Sequence, residues 1–204
     1  MLRQMDDKRI IERVRYIKME KVGYMGISGS FSEVAAEKLV EQAGIPEAEL
    51  VPLVCSQNIL DALRAGEISY GVLGIRNTTA GPVSEFEHSF HDVEYTVLGE
   101  YILPIHHCLF KKHEVDVSAL TEVASHPQAF RQTDHNRAER WPQLREHEIE
   151  DTAIGADWLA NGKLPETTAV ICSRKAGTIW GLDLMAENIE DSAENRTTFW
   201  LLRL

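Results

Sequence analysis

Long apolar runs are missing from this chain. None of its 204 residues belongs to an uninterrupted hydrophobic stretch of bilayer length, so a helical membrane span is not expected. Cysteine is scarce. Cys55, Cys108 and Cys172 are odd in number, have no CxxC spacing and lie in apolar, strand-like surroundings, which points to buried thiols over a disulfide framework. A basic excess is missing too. The net charge of −11 speaks against nucleic acid as a partner, because phosphate binding needs a basic face. Metal-ligand patterns are absent: His88 and His91 stand alone, adjacent His106 and His107 would point to opposite faces of a strand, and there is no HExxH. A metal site is not expected. There is no Gly/Pro/Ser-rich linker and no repeat of 20 to 50 residues, so neither beads on a string nor a solenoid fits. The N-terminus is charged (Arg3, Asp6, Asp7, Lys8, Arg9) where a secretory signal would be apolar, and the cytoplasm is the expected compartment.

What is present is an ordinary globular composition, 44% hydrophobic and 26% charged, on a chain long enough for one sizeable core or two small lobes. Residues 1–20 place Leu2, Met5, Ile11, Val14 and Ile17 at helical spacing, which predicts an amphipathic helix packing on the body or on a second chain. Beyond it, strands and helices alternate. Val22–Gly26, Leu50–Cys55, the almost wholly apolar Tyr70–Ile75, Val93–Gly99, Tyr101–His106, Thr168–Ser173 and Phe199–Leu204 read as strands. Val34–Ala43, Gln57–Ala65, the segment after Pro127, the segment after Thr152 and Arg174–Trp180 read as helices. Such alternation is the pattern of an α/β sheet protein, whose ligands collect at the carboxyl ends of strands.

Polar strand-to-helix corners recur along the chain. One is Ser28–Glu33, with Ser30 or Ser32 as helix cap; a second follows Ile75; a third is Ser125–Gln128, with Ser125 as cap and Pro127 in the first turn; a fourth is Asp151–Ala156. A helix start offers free N–H groups to an anion, although each corner alone is as well explained by simple capping.

Taken in order, the corners resemble the catalytic domain of prephenate dehydratases over about Val22 to Leu204. The family's Gly-x-x-Gly-(Thr/Ser)-(Phe/Tyr)-Ser is matched by Gly26–Ser32, and its Tyr-Gly-Val-x-Pro-Ile-Glu-Asn-Ser by Tyr70–Thr78. Its Ser-His-Pro-Gln-Ala stands intact at Ser125–Ala129, its Thr-Ala-x-x-Ala at Thr152–Ala156, and its Asn-x-Thr-Arg-Phe falls on Asn195–Phe199. The resemblance implies a fold like that of type 2 periplasmic binding proteins: lobe 1 over about 21–100 plus 188–204, lobe 2 over about 101–187, and a ligand between them. It also implies a cytoplasmic homo-oligomer, dimer or tetramer, that needs no metal or cofactor and acts on a dicarboxylate without nucleic-acid or membrane partners.

The implied reaction is the decarboxylating dehydration of prephenate to phenylpyruvate in phenylalanine biosynthesis. Thr197 matches the residue that assists the departing hydroxyl, with Asn77 orienting the substrate beside it. Ser30, Phe31, Ser32, Arg76, Thr78, Ser125, His126, Gln128, Thr152 and Ala153 are the expected substrate-binding residues. Arg76 and Thr198 depart from the family, which has Glu and Arg there; the expectation is that a guanidinium has moved from the last corner to the second and still binds a carboxylate. These departures keep two alternatives open, a decarboxylase that retains the hydroxyl and a binding protein without turnover. The regulatory ACT domain common in the family is not found after the last strand, so feedback through it is not expected.

Overall fold

The structure, a computed structural model, describes residues 19–45 and 47–204. The expected N-terminal amphipathic helix falls outside the described residues. In chain order the elements are β1 (Lys21–Tyr24), α1 (Phe31–Ala43), β2 (Glu49–Pro52), α2 (Ser56–Ala65), β3 (Tyr70–Asn77), β4 (Gly81–Pro82), α3 (Ser84–Phe90), β5 (Thr96–Pro104) and β6 (Cys108–Lys111). A single 3-10 turn (Val117–Ala119) precedes β7 (Glu122–Ser125), α4 (Pro127–Arg140), β8 (Arg145–Glu148), α5 (Thr152–Ala160), β9 (Thr168–Cys172), α6 (Arg174–Ile179), β10 (Asp183–Ala186) and β11 (Arg196–Arg203).

These strands form two sheets, one per lobe. The first runs β2-β1-β3-β11-β5 with β4 hooked onto β3, and the second runs β10-β6-β9-β7-β8. In each sheet the central strands are the most deeply covered. Val22 and Tyr24 of β1, Val72 and Leu73 of β3, and Ala169, Val170, Ile171 and Cys172 of β9 are essentially inaccessible. That explains why β3 and β9 read as continuous apolar runs: helices cover both faces of each sheet. Burying each Leu- or Val-sized side chain this way contributes roughly 1.5–3 kcal/mol. The result is two three-layer α/β lobes.

Two crossovers join the lobes, residues 105–107 on the way out and 187–195 on the way back. They are stitched to each other. Ile105 N–H donates to the Asn195 carbonyl, Ile189 N–H to the His107 carbonyl, and the Glu190 carboxylate takes the His107 N–H at 2.9 Å and meets His106 Nδ1 at 2.7 Å. Glu190 is thereby 9% exposed. The boundary between the lobes lies later than expected from sequence, because Val93–Gly99 and Tyr101–His106 are not two strands. One strand, β5, pairs with β11 through Pro104 and absorbs the break as a register shift opposite Leu201 and Leu202.

Candidate functional site

A cavity of about 710 Å³ lies between the lobes, and the mouths of several helices open onto it. Ser30, Phe31 and Ser32 from the start of α1, Cys55 before α2, His126 and Gln128 from the start of α4, and Asp151 and Thr152 at α5 all line it. Asn77 and Thr197 form part of the wall from the paired ends of β3 and β11, with apolar Phe31, Ile105 and Phe199 beside them.

Thr197 and Asn77 are direct cross-strand partners, which places both side chains on one face of the sheet. Asn77 is 8% exposed and fully engaged. Its Nδ2 donates to Thr197 Oγ1 and to Asn195 Oδ1, each at 2.9 Å. Its Oδ1 accepts the Thr79 hydroxyl at 2.7 Å and the backbone N–H groups of Thr79 and Ala80 at 2.9 Å, an Asx turn that fixes the amide orientation. Because Thr197 Oγ1 already accepts a hydrogen bond, its own O–H remains to be donated.

Beside this pair on the cavity wall stands Gln132, which sequence reasoning left without a role. Its Nε2 donates to Thr79 Oγ1 at 2.7 Å, and its Oε1 takes Asn195 Nδ2 at 3.0 Å and faces His107 Nε2 at 2.8 Å. His107 is 3% exposed and its Nδ1 has no partner among the described residues, so burial holds the imidazole below its ordinary 6.5 despite the opposing pulls of Gln132 and Glu190. It is neutral, with Nε2–H donating to Gln132. Gln132 lies one turn beyond the Ser-His-Pro-Gln corner, and that spacing was the available signal.

The helix mouths are less free than the sequence suggested. Ser30 caps α1 by accepting the Glu33 N–H at 3.3 Å, while Glu33 reaches back to the Gly29 N–H at 2.8 Å, a capping box. Ser32 stays on the wall with no protein partner for its hydroxyl among the described residues. At α4 the cap is His126, whose Nδ1 accepts the Gln128 N–H at 3.1 Å. Burial lowers its pKa, aided by Arg131 and opposed by Asp151 and Glu148, so the ring is neutral with its proton on Nε2. At α5 the cap is Asp151, not Thr152: its Oδ1 takes the N–H groups of Ala153 at 2.7 Å and Ile154 at 3.0 Å.

Four expected binding residues lie off the cavity wall. Ser125 is inaccessible and spends its hydroxyl on the Ile171 carbonyl at 2.8 Å, tying β7 to β9. Ala153 is buried in the core of lobe 2, and its N–H belongs to Asp151. Thr78 staples the start of β11, donating to the Glu194 carbonyl at 2.6 Å and accepting the Arg196 N–H at 2.9 Å. Arg76 is exposed, next to Asn77 and therefore on the opposite sheet face, where its cross-strand partner is Thr198. The relocated guanidinium is overturned: both departures from the family sit together on a face turned away from Thr197. Of the three free thiols, Cys108 and Cys172 are buried as expected, but Cys55 is half-buried at the cavity wall.

Two α/β lobes hung on paired crossovers, with a polar cleft between them, are the architecture of small-molecule binding proteins of the periplasmic type. A family model described as prephenate dehydratase matches residues 22–204. The prephenate dehydratase of Lactococcus lactis subsp. cremoris is 32% identical over 89% of this chain and 63% of its own length. The arogenate dehydratase/prephenate dehydratase 2 of Arabidopsis thaliana is 32% identical over 97% of this chain and 50% of its own. The prephenate dehydratase of Arthrobacter aurescens, solved with L-Phe, superposes with a TM-score of 0.80 at 25% identity, over 90% of this chain and 60% of that one. The chain belongs to the prephenate dehydratase family. It spans about half to two thirds of the length of these relatives.

Proposed function

We propose that this chain is a lyase that aromatises prephenate-type rings by decarboxylating dehydration, in the route to phenylalanine. The observation that carries this reading is the Thr197 hydroxyl, oriented by Asn77 at 2.9 Å on the wall of the inter-lobe cavity. In the reaction the bond from the ring to its carboxylate breaks and leaves as CO2. The freed electron pair enters the ring, the C4–O bond breaks, and the departing hydroxide takes up one proton to become water. Aromatisation supplies the driving force. The protein has to orient the ring, hydrogen-bond the departing oxygen as charge develops on it, and keep water away.

The side chains fit those tasks. Phe31, Ile105 and Phe199 offer the ring an apolar seat, and the Thr197 O–H can be donated to the leaving hydroxyl. Ser32, Gln128, Thr152 and the neutral His126 are among the polar groups left for a carboxylate. Gln132 and His107, which also line the cavity, act as positioning residues, holding Asn77 and Asn195 in register. A hydroxyl-retaining decarboxylase gains no support, because the departures that suggested it, Arg76 and Thr198, are on the other sheet face.

Incubating the purified protein with prephenate tests the reading. Phenylpyruvate is the expected product. A non-aromatic hydroxylated product, or binding of both prephenate and its amino-acid form without turnover of either, would refute it. We also read the chain as a homo-oligomer. The exposed apolar residues Val97, Leu98 and Ile102 on the edge strand β5 support this, and a light-scattering mass above that of one chain is expected.

A further inference from the structure

The cavity that would take a dicarboxylate is lined by no Lys or Arg among the described residues, and its formal charges are the carboxylates of Glu85, Glu150 and Asp151. The keto acid carries two negative charges and brings no cation of its own. The amino-acid form of the same ring compound brings an α-ammonium. We propose that the cleft contains an ammonium subsite at Asp151, which makes the amino-acid form (arogenate) the preferred substrate over the keto acid (prephenate). The proposal rests on the dehydratase reading above and specifies its substrate.

Asp151 divides its carboxylate between two jobs. Oδ1 takes both N–H groups at the start of α5, and Oδ2 has no partner among the described residues. Oδ2 faces lobe 1 across the cleft at Gly26, 3.8 Å from the point where a Cβ would stand. Ser30 Oγ lies 3.0 Å from that same point. The Ser30 hydroxyl gives its proton to the Met25 carbonyl and accepts the Glu33 N–H, so what it has left is a lone pair. Beside Gly26 the cavity wall therefore presents an anionic acceptor from one lobe and a neutral one from the other, with no free proton on either.

An ammonium, with three donors and a positive charge, satisfies both groups. A ketone oxygen has only lone pairs and would face two acceptors there. A polar site that loses its partner in this way discriminates strongly between otherwise identical ligands. The chemistry at the ring is unchanged: the amino-acid form plus one proton gives L-phenylalanine, CO2 and water. Glu85 and Glu150 do not compete for this role. One oxygen of Glu85 is taken by the Ser56 N–H at 3.0 Å, and both residues are exposed, whereas Asp151 is half-buried.

The test compares kcat/KM for arogenate and prephenate in the wild type and in Asp151→Asn, a variant that keeps a good helix cap and removes the charge. The expected result is a wild-type preference for arogenate of roughly tenfold or more. The variant should lose about 10–100-fold on arogenate, a range set by the half-exposure of the residue, and hold or gain on prephenate. A wild type that prefers prephenate, or a variant that falls equally on both substrates, overturns the subsite. If neither compound turns over, the dehydratase reading fails separately. Calorimetric titration of the wild type with each compound then decides the subsite alone: tighter arogenate binding supports it, and equal or weaker binding overturns it.

Discussion

The neighbours Arg76 and Asn77 show how much a single step along a strand decides. Asn77 faces the cavity and holds Thr197, while Arg76 faces outward beside Thr198. Motif order made Thr197 and Asn77 legible, because both occupy family positions and fall opposite each other when β3 and β11 pair. The same motif misled at Arg76, Thr78 and Ser125, where adjacency was read as convergence although side chains alternate along a strand. Alternation from Asn77 alone would have turned Arg76 away. Replacing Arg76 with Leu is therefore expected to leave kcat and KM within about twofold of wild type, since an exposed charge on the far sheet face contributes little. Steady-state kinetics check this, and a clear rise in KM would restore the guanidinium to the site.

At the scale of elements, the strand-to-helix corners do converge, as their spacing suggested. What the sequence concealed is that the protein's own groups fill the mouths: Glu33 at α1, Glu85 at α2, His126 at α4 and Asp151 at α5. Serine and threonine drew attention as caps, yet at α5 it is the preceding Asp151 that caps. The strand–helix alternation was legible because buried parallel strands are uniformly apolar. The crossovers were not, because their cohesion comes from Glu190 and from Asp191, which accepts the backbone N–H groups of His135 and Asn136 on α4 at 3.0 and 2.9 Å. Such pairings over long sequence separations leave no local pattern.

His107 gives this hinge a pH dependence. Its folded-state pKa lies below the ordinary 6.5, so the unfolded chain takes up a proton first as pH falls. Its contribution to stability is full above about pH 6.5 and is lost as pH drops from there toward the folded-state value. Thermal melts between about pH 7.5 and about pH 5.5 should show a falling midpoint, and His107→Gln should flatten that fall. An unchanged slope in the variant would remove His107 from the account.

Across the whole molecule, the lobes meet at a second place besides the crossovers. Gly29, at φ +89°, packs so closely on α6 that a Cβ there would stand 2.6 Å from the Ala176 Cα. Ser173 donates to the Gly29 carbonyl, and Lys175 bridges Glu33 at 2.8 Å and Glu37 at 2.6 Å. Gly29→Ala should cost roughly 1–3 kcal/mol, from both backbone conformation and overlap, and should raise KM by loosening the cleft. Chemical denaturation and kinetics together read both effects; a variant unchanged in both would mean that this contact does not set the cleft.

The proposed chemistry turns on Thr197 as the hydrogen-bond donor to the departing hydroxyl, where β11 brings it to the cleft between the lobes. The most direct measurement is kcat for Thr197→Ala and Thr197→Ser on the substrate the wild type turns over. The alanine variant should lose about 10²-fold or more in kcat with KM little changed, and the serine variant, which keeps a hydroxyl, should recover most of that loss. Near-normal turnover by Thr197→Ala would contradict it.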